Sequence, residues 1–202
     1  MGIGEVGRPA VFLDRDGVLN PLVLNPATGR MESPLTAEDF LLGAGVAEAL
    51  RRLESAGYLL VLVSNQPNYA LGKCSFSSLT EIHGKLTGEL TAAGVTFARF
   101  CYCLHHPRGV FPGYSGTCAC RKPSPWFLLR ASKELGLAMA DSWMVGDQPS
   151  DVQCGRAAGV RTIRIAATLS GALLGCSGDL CADYSAGNLT EAAAIILARR
   201  RG

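Results

Sequence analysis

The sequence predicts an α/β fold, a parallel sheet covered by helices on both faces. Short apolar runs alternate along the chain with segments of helical periodicity, and four of those segments are closed by a glycine. The apolar runs are also continuous, as in strands buried on both faces, instead of alternating with polar residues as in a half-solvated antiparallel sheet.

The elements follow in order. Ala10 to Leu13 is a short apolar run that ends in a charged turn, and is read as the first strand. Val46 to Ala56 has helical spacing and stops at Gly57; Tyr58 to Val63 is a continuous apolar strand. Ser77 to Ala93 is a helix ended by Gly94, and Phe97 to Cys103 a strand. Pro125 to Leu135 is a helix closed by Gly136, Ser142 to Val145 a strand, Ser150 to Ala158 a helix closed by Gly159, and Arg161 to Ile165 a strand. Leu189 to Ala198 is the last helix. Leu19 to Phe40 and the Pro-, Gly- and Cys-rich stretch from Cys103 to Pro123 read as irregular connections; Ser170 to Ala182 is small and Gly-rich and receives no assignment. The expected architecture is a Rossmann-like three-layer sandwich in one domain spanning 1–202, without a large cap domain.

Composition narrows the function classes. A net charge of +2 does not argue for nucleic acid, and the run Arg199–Arg201 reads as a solvated helix end. The mean hydropathy of +0.21 comes from many small and aliphatic residues. The longest apolar runs fall far short of the roughly 20 residues of a membrane span, and Met1 to Pro9 lacks the layout of a signal peptide. The expectation is a cytoplasmic, monomeric protein with no nucleic-acid or membrane partner. Of eight cysteines, Cys103, Cys118 and Cys120 cluster with histidines. Cys74, Cys101, Cys154, Cys176 and Cys181 lie outside that cluster and are read as mostly small buried hydrophobes.

The segment Leu13-Asp14-Arg15-Asp16-Gly17-Val18-Leu19-Asn20 carries the most chemistry. Ligands of an open parallel sheet sit beyond the carboxyl ends of its strands, and Asp14 falls at such an end. Two carboxylates that close require a cation or a shared proton. A calcium loop does not fit, because Gly17 is fourth from Asp14 and Asn25 is twelfth. Gly2-Ile3-Gly4-Glu5-Val6-Gly7 has dinucleotide spacing but precedes the strand instead of following it. A solvated Asp-Gly turn stays open on this segment alone.

Three later segments reach the same sheet edge. Ser64-Asn65-Gln66 follows the second strand and offers a hydroxyl to a phosphoryl oxygen; Arg121-Lys122-Pro123 offers cations; Gly146-Asp147-Gln148-Pro149-Ser150-Asp151 follows a strand, opens a helix and offers carboxylates to a metal. In this order the four segments resemble the four motifs of the haloacid dehalogenase superfamily of phosphatases, from about Val11 to Ile165. The resemblance implies Asp14 as nucleophile, Asp16 as acid and then base, and Ser64 and Lys122 as ligands of the transferring phosphoryl group. It implies Mg²⁺ held by Asp14, Asp147 and the backbone carbonyl of Asp16, with Asp151 in support. Mg²⁺ and Lys122 would offset the repulsion between a carboxylate and a phosphate anion. Asp16 must carry a proton in the first half-reaction, so its site is expected to favour the neutral acid.

Cys103-Leu104-His105 and Cys118-Ala119-Cys120 supply three thiolates and an imidazole, a closed set of four suited to structural Zn²⁺. His106 is the adjacent alternative; the resemblance places the ligand at His105. The loop would hold Arg121 and Lys122. Cys-x-His-His-Pro followed by Cys-x-Cys-Arg-Lys-Pro is similar to a subgroup containing D-glycero-D-manno-heptose 1,7-bisphosphate phosphatases and histidinol-phosphate phosphatases. The longer loop here favours the heptose enzymes, so the expected partner is a small phosphorylated substrate, a sugar bisphosphate. The resemblance makes Arg121 and Asn65 substrate-binding, and Arg108 is a further candidate cation for a second phosphate. Leu71 and Gln148 depart from the subgroup's pattern, where cations are usual. The alternatives are a histidinol-phosphate or other small phosphate-ester phosphatase, and a non-catalytic zinc-organised binding module.

Overall fold

The computed structural model describes residues 7–166 and 181–200. Six parallel strands form the central sheet: β1 (Ala10–Leu13), β4 (Leu59–Asn65), β5 (Phe97–Cys103), β6 (Trp143–Gly146), β7 (Arg161–Ile165) and β8 (Tyr184–Ala186). Their spatial order is β5-β4-β1-β6-β7-β8. The helices are α1 (Val46–Ser55), α2 (Phe76–Ala92), α3 (Trp126–Leu135), α4 (Pro149–Ala157) and α5 (Leu189–Ala198).

β1 is buried throughout, and its alternate residues feed two cores. Val11 and Leu13 pack with Leu50 and Leu53 of α1, Ile82 and Leu86 of α2 and Ile196 of α5. Ala10 and Phe12 face the opposite way, onto Leu128 and Ala131 of α3 and Cys154 of α4. A strand that serves two layers must be apolar at every position, which is why these strands read as continuous runs.

The sheet order fixes where chemistry can occur. The chain leaves β1, builds β4 and β5 on one side, then returns to place β6 on the other. The crevice at such a reversal lies over the carboxyl ends of the strands. Asp14 follows β1, Ser64 and Asn65 end β4, and Asp147 follows β6, so three adjacent strands deliver their last residues to one edge.

The fold class and the ten elements read from the sequence are present, with boundaries shifted by one or two residues; β4 runs on through Ser64 and Asn65. Four elements were missed. The connection read as irregular from Leu19 to Phe40 contains an antiparallel hairpin, β2 (Val23–Asn25) with β3 (Arg30–Glu32). Tyr184–Ala186 adds the edge strand β8, and Met139–Asp141 forms a 3₁₀ turn before β6. Most of the unassigned Ser170–Ala182 stretch, Cys176 and residues 2–6 of the glycine-spaced segment lie outside the described residues. Cys101 and Cys154 are buried, as read, whereas Cys74 and Cys181 are half-buried because they sit in loops and not under a helix. Among the described residues no helix is long and apolar enough to cross a membrane.

Candidate active site

A cavity of about 590 Å³ opens over the carboxyl ends of β1, β4 and β6. Asp14, Asp16, Asn65, Arg121, Lys122, Asp147 and Asp151 line it, and the β2–β3 hairpin contributes Met31 and Glu32 to one wall.

Lys122 is the centre of the floor. It is 3% exposed, and its ammonium lies 3.0 Å from Asp14 Oδ1, 2.7 Å from Asp151 Oδ1 and 2.7 Å from the carbonyl of Val63, to which it donates. Burial works against its charge, but Asp14 and then Asp151 outweigh that and hold its pKa above the ordinary lysine value. Burial raises Asp14 to about 6; Lys122 opposes the rise, and the nearby carboxylates of Asp151 and Asp16 add to it. Burial likewise raises Asp147.

Asp14, Asp147 and Asp151 bring carboxylate oxygens within 4.8 Å of one another. Asp147 Oδ2 accepts from Gln148, whereas Asp147 Oδ1 is buried with no hydrogen-bond partner. A partnerless buried oxygen beside a carboxylate cluster is an acceptor shaped for a hard cation, so the residues present fit Mg²⁺. Two glycines make the close packing possible. Gly17 has φ +79°, and a Cβ there would lie 2.6 Å from Asp147 Oδ2; a Cβ on Gly146 would lie 2.2 Å from Asp151. Asp151 also accepts from the Gln148 backbone N–H in a capping box at the start of α4, which fixes the carboxylate facing Lys122.

Asp16 is surrounded by donors. Arg15 Nε, Asn20 Nδ2 and Gln66 Nε2 donate to it at 3.1, 3.0 and 2.6 Å, and the Arg15 guanidinium forms a buried ion pair with it at 3.0 Å. The carboxylate is thus held by the side chains of Arg15, Asn20 and Gln66. Gln66 was not singled out in the sequence. It donates to both Asp16 and Ser64 Oγ and accepts from Arg15, and its place directly after Ser64-Asn65 was the available signal.

The other expected residues fall into two groups. Ser64 is buried, accepts from Gln66 and acts to lower the Asp14 pKa, and it is not among the lining residues. Asn65 lines the cavity, but both ends of its amide engage the backbone of Lys122, at 3.1 Å each. Arg121 lines the cavity and donates to the carbonyl of His105. Arg108 is exposed and lies outside the lining, because the turn at His106–Gly109 carries it out to solvent.

Cys103, His105, Cys118 and Cys120 converge on one point. Cys103 Sγ lies 3.5 Å from Cys118 Sγ, Cys118 Sγ lies 3.6 Å from Cys120 Sγ, and His105 Nδ1 lies 3.9 and 3.7 Å from Cys103 and Cys120. A tetrahedral metal with bonds of about 2.3 Å to sulfur sets its ligands about 3.8 Å apart. His106 faces away, its Nδ1 accepting from the Arg108 backbone.

Comparison with known proteins agrees with this geometry. A hydrolase-like family model described as HAD-hyrolase-like matches residues 119–172. A D-glycero-beta-D-manno-heptose-1,7-bisphosphate 7-phosphatase from Yersinia pestis is 37% identical over 194 residues, 95% of this chain and 96% of that protein. The Vibrio cholerae protein of the same name is 40% identical over 157 residues, covering 78% of this chain and 80% of its own. The fold superposes with a TM-score of 0.75 on the D,D-heptose 1,7-bisphosphate phosphatase of B. bronchiseptica, solved with magnesium and phosphate, at 24% identity over 95% of this chain and 99% of that one.

Proposed function

Because the chain belongs to the haloacid dehalogenase-like hydrolases, in the family of heptose 1,7-bisphosphate 7-phosphatases, we propose that this phosphatase removes the 7-phosphate of D-glycero-D-manno-heptose 1,7-bisphosphate through an aspartyl-phosphate on Asp14. The observation that carries the reading is the Lys122 ammonium set between Asp14 and Asp151 on the floor of an open cavity.

Each residue then has a role. Lys122 draws a phosphoryl oxygen towards Asp14, and the Asp14 carboxylate attacks phosphorus as the bond to the sugar oxygen breaks. Asp16 gives its proton to the departing sugar oxygen. In the second half Asp16 takes a proton from water, the water oxygen bonds phosphorus, and the Asp14–phosphorus bond breaks to release inorganic phosphate. Arg15, Asn20 and Gln66 hold Asp16 in line through both halves. Ser64 orients Asp14, and Asn65 fixes the lysine-bearing loop. Mg²⁺, held by Asp14, Asp147 and the Asp16 carbonyl, would neutralise charge on the phosphoryl oxygens. Zn²⁺ on Cys103, His105, Cys118 and Cys120 would be structural, since four protein ligands close its shell.

The test is phosphate release from heptose 1,7-bisphosphate, histidinol phosphate and a panel of sugar phosphates, with Mg²⁺, comparing wild type with Asp14→Asn. Asp14-dependent turnover that is fastest on the heptose bisphosphate supports the proposal. Faster turnover of another ester keeps the mechanism and moves the substrate. No turnover by folded, zinc-loaded protein would return the chain to a binding role.

A further inference from the structure

We infer that Lys73 recognises the second, non-reacting phosphate of the substrate, aimed into the cavity by Glu32 of the β2–β3 hairpin; the inference rests on the bisphosphate reading above.

A phosphate monoester carries a charge of about −1.5 to −2 at neutral pH, so a bisphosphate brings two strongly anionic groups into a cavity already lined by five carboxylates. Three cations line the same cavity: Lys73, Arg121 and Lys122. Lys122 is buried and bound to Asp14, Asp151 and a carbonyl, so it serves the reacting phosphoryl group. Arg121 directs one guanidinium nitrogen to the carbonyl of His105 and sits next to Lys122 in sequence, which keeps it near the same end. Lys73 comes from a different part of the wall and its side chain is 37% exposed.

The site around Lys73 is built on both sides. Its backbone is fixed by a compact turn in which Leu71, Gly72 and Lys73 N–H groups donate to the carbonyls of Pro67, Tyr69 and Asn68. Its ammonium donates to Glu32 Oε2 at 2.7 Å. Glu32 does not depend on Lys73 for its own position, because Thr28 and Asn25 of the same hairpin donate to its two oxygens at 2.8 and 3.4 Å. The hairpin therefore presents a held carboxylate, and that carboxylate orients the lysine. An ammonium has three N–H donors; the bond to Glu32 takes one, and the others suit phosphate oxygens.

A simple strap between hairpin and loop would use the same ion pair, so the test separates the two roles. Rates for heptose 1,7-bisphosphate and for heptose 7-phosphate are measured on wild type, Lys73→Met, Lys73→Arg and Glu32→Gln. Recognition of the second phosphate predicts that Lys73→Met lowers the ratio of kcat/KM for bisphosphate over monophosphate by about tenfold or more, the loss of one charge-assisted hydrogen bond. Lys73→Arg keeps most of the ratio, and Glu32→Gln lowers it less than Lys73→Met. A strap predicts that Lys73→Met and Glu32→Gln slow both substrates alike with the ratio unchanged, and that result overturns the inference. Wild type that hydrolyses neither compound defeats the heptose reading itself, whatever Lys73 does. Wild type that hydrolyses both equally leaves the phosphatase reading standing and removes the role of Lys73.

Discussion

Asn65 and Lys122 are locked together by a two-way bond. The Lys122 backbone N–H donates to Asn65 Oδ1, and Asn65 Nδ2 donates to the Lys122 carbonyl, both at 3.1 Å. The last residue of a central strand thus clamps a loop that belongs to no helix or strand.

Replacement of Asn65 by alanine removes both bonds while leaving the Lys122 side chain in place. With each bond worth about 1 kcal/mol, turnover is expected to fall by roughly 10- to 30-fold through mispositioning of the ammonium. The four donors of the proposed zinc site are untouched, so zinc content measured by elemental analysis is expected to stay at the wild-type level. Loss of zinc together with turnover would mean that the clamp supports the whole loop and not the lysine alone.

How much of this was legible in the sequence follows from what each element buries. β1, β4 and β6 are continuous apolar runs because both faces are covered, and Asp14 after β1, Asn65 at the end of β4 and Asp147 after β6 are carried to one crevice by the sheet order. Asp14 and Asp147 were singled out at such strand ends, whereas the roles expected of Asp16 and Lys122 came from the resemblance of the four segments to a family's motifs. The β2–β3 hairpin gave no such pattern. Each strand has three residues, and its large apolar side chains, Leu24 and Met31, are exposed, so neither period nor burial marks it. Glu32 was invisible for the same reason, and Lys73 was passed over because its place in the cavity depends on the turn from Pro67 to Lys73, which spacing does not encode. Arg108 failed in the opposite sense: its charge suited a phosphate, but the loop points it to solvent.

Asp14 makes stability depend on pH in a definite direction. Burial holds its folded-state pKa at about 6, against 3.8 for a free aspartate carboxyl. Between those values the unfolded chain has released a proton that the folded chain keeps. The contribution is therefore present below about pH 4 and is lost as pH rises through about 6. Thermal unfolding in magnesium-free buffer should show wild type losing stability relative to Asp14→Asn across that interval. Added Mg²⁺ should shrink the loss, since a cation favours the ionised carboxylate. Parallel pH curves for the two proteins would rule out the assignment.

The cluster of Cys103, His105, Cys118 and Cys120, the zinc site proposed above, bears on catalysis through chain connectivity. Between Cys103 and Pro123 the loop has no helix or strand, and its only backbone bridge among the described residues pairs His106 with Ser115. Cys120 precedes Lys122 by two residues, and Arg121 between them donates back to the His105 carbonyl. Without a cation, burial pushes the Cys103 and Cys120 thiols above their ordinary range, against the deprotonated form a metal takes. Cys118→Ser should therefore bind less than one equivalent of zinc, melt at lower temperature and lose turnover that excess Mg²⁺ does not restore. Chelation of the wild type should do the same, and activity should return with Zn²⁺ plus Mg²⁺ but not with Mg²⁺ alone. Full activity in a zinc-free protein would show that the Asn65 clamp and the three contacts of the Lys122 ammonium suffice to hold the lysine without the metal.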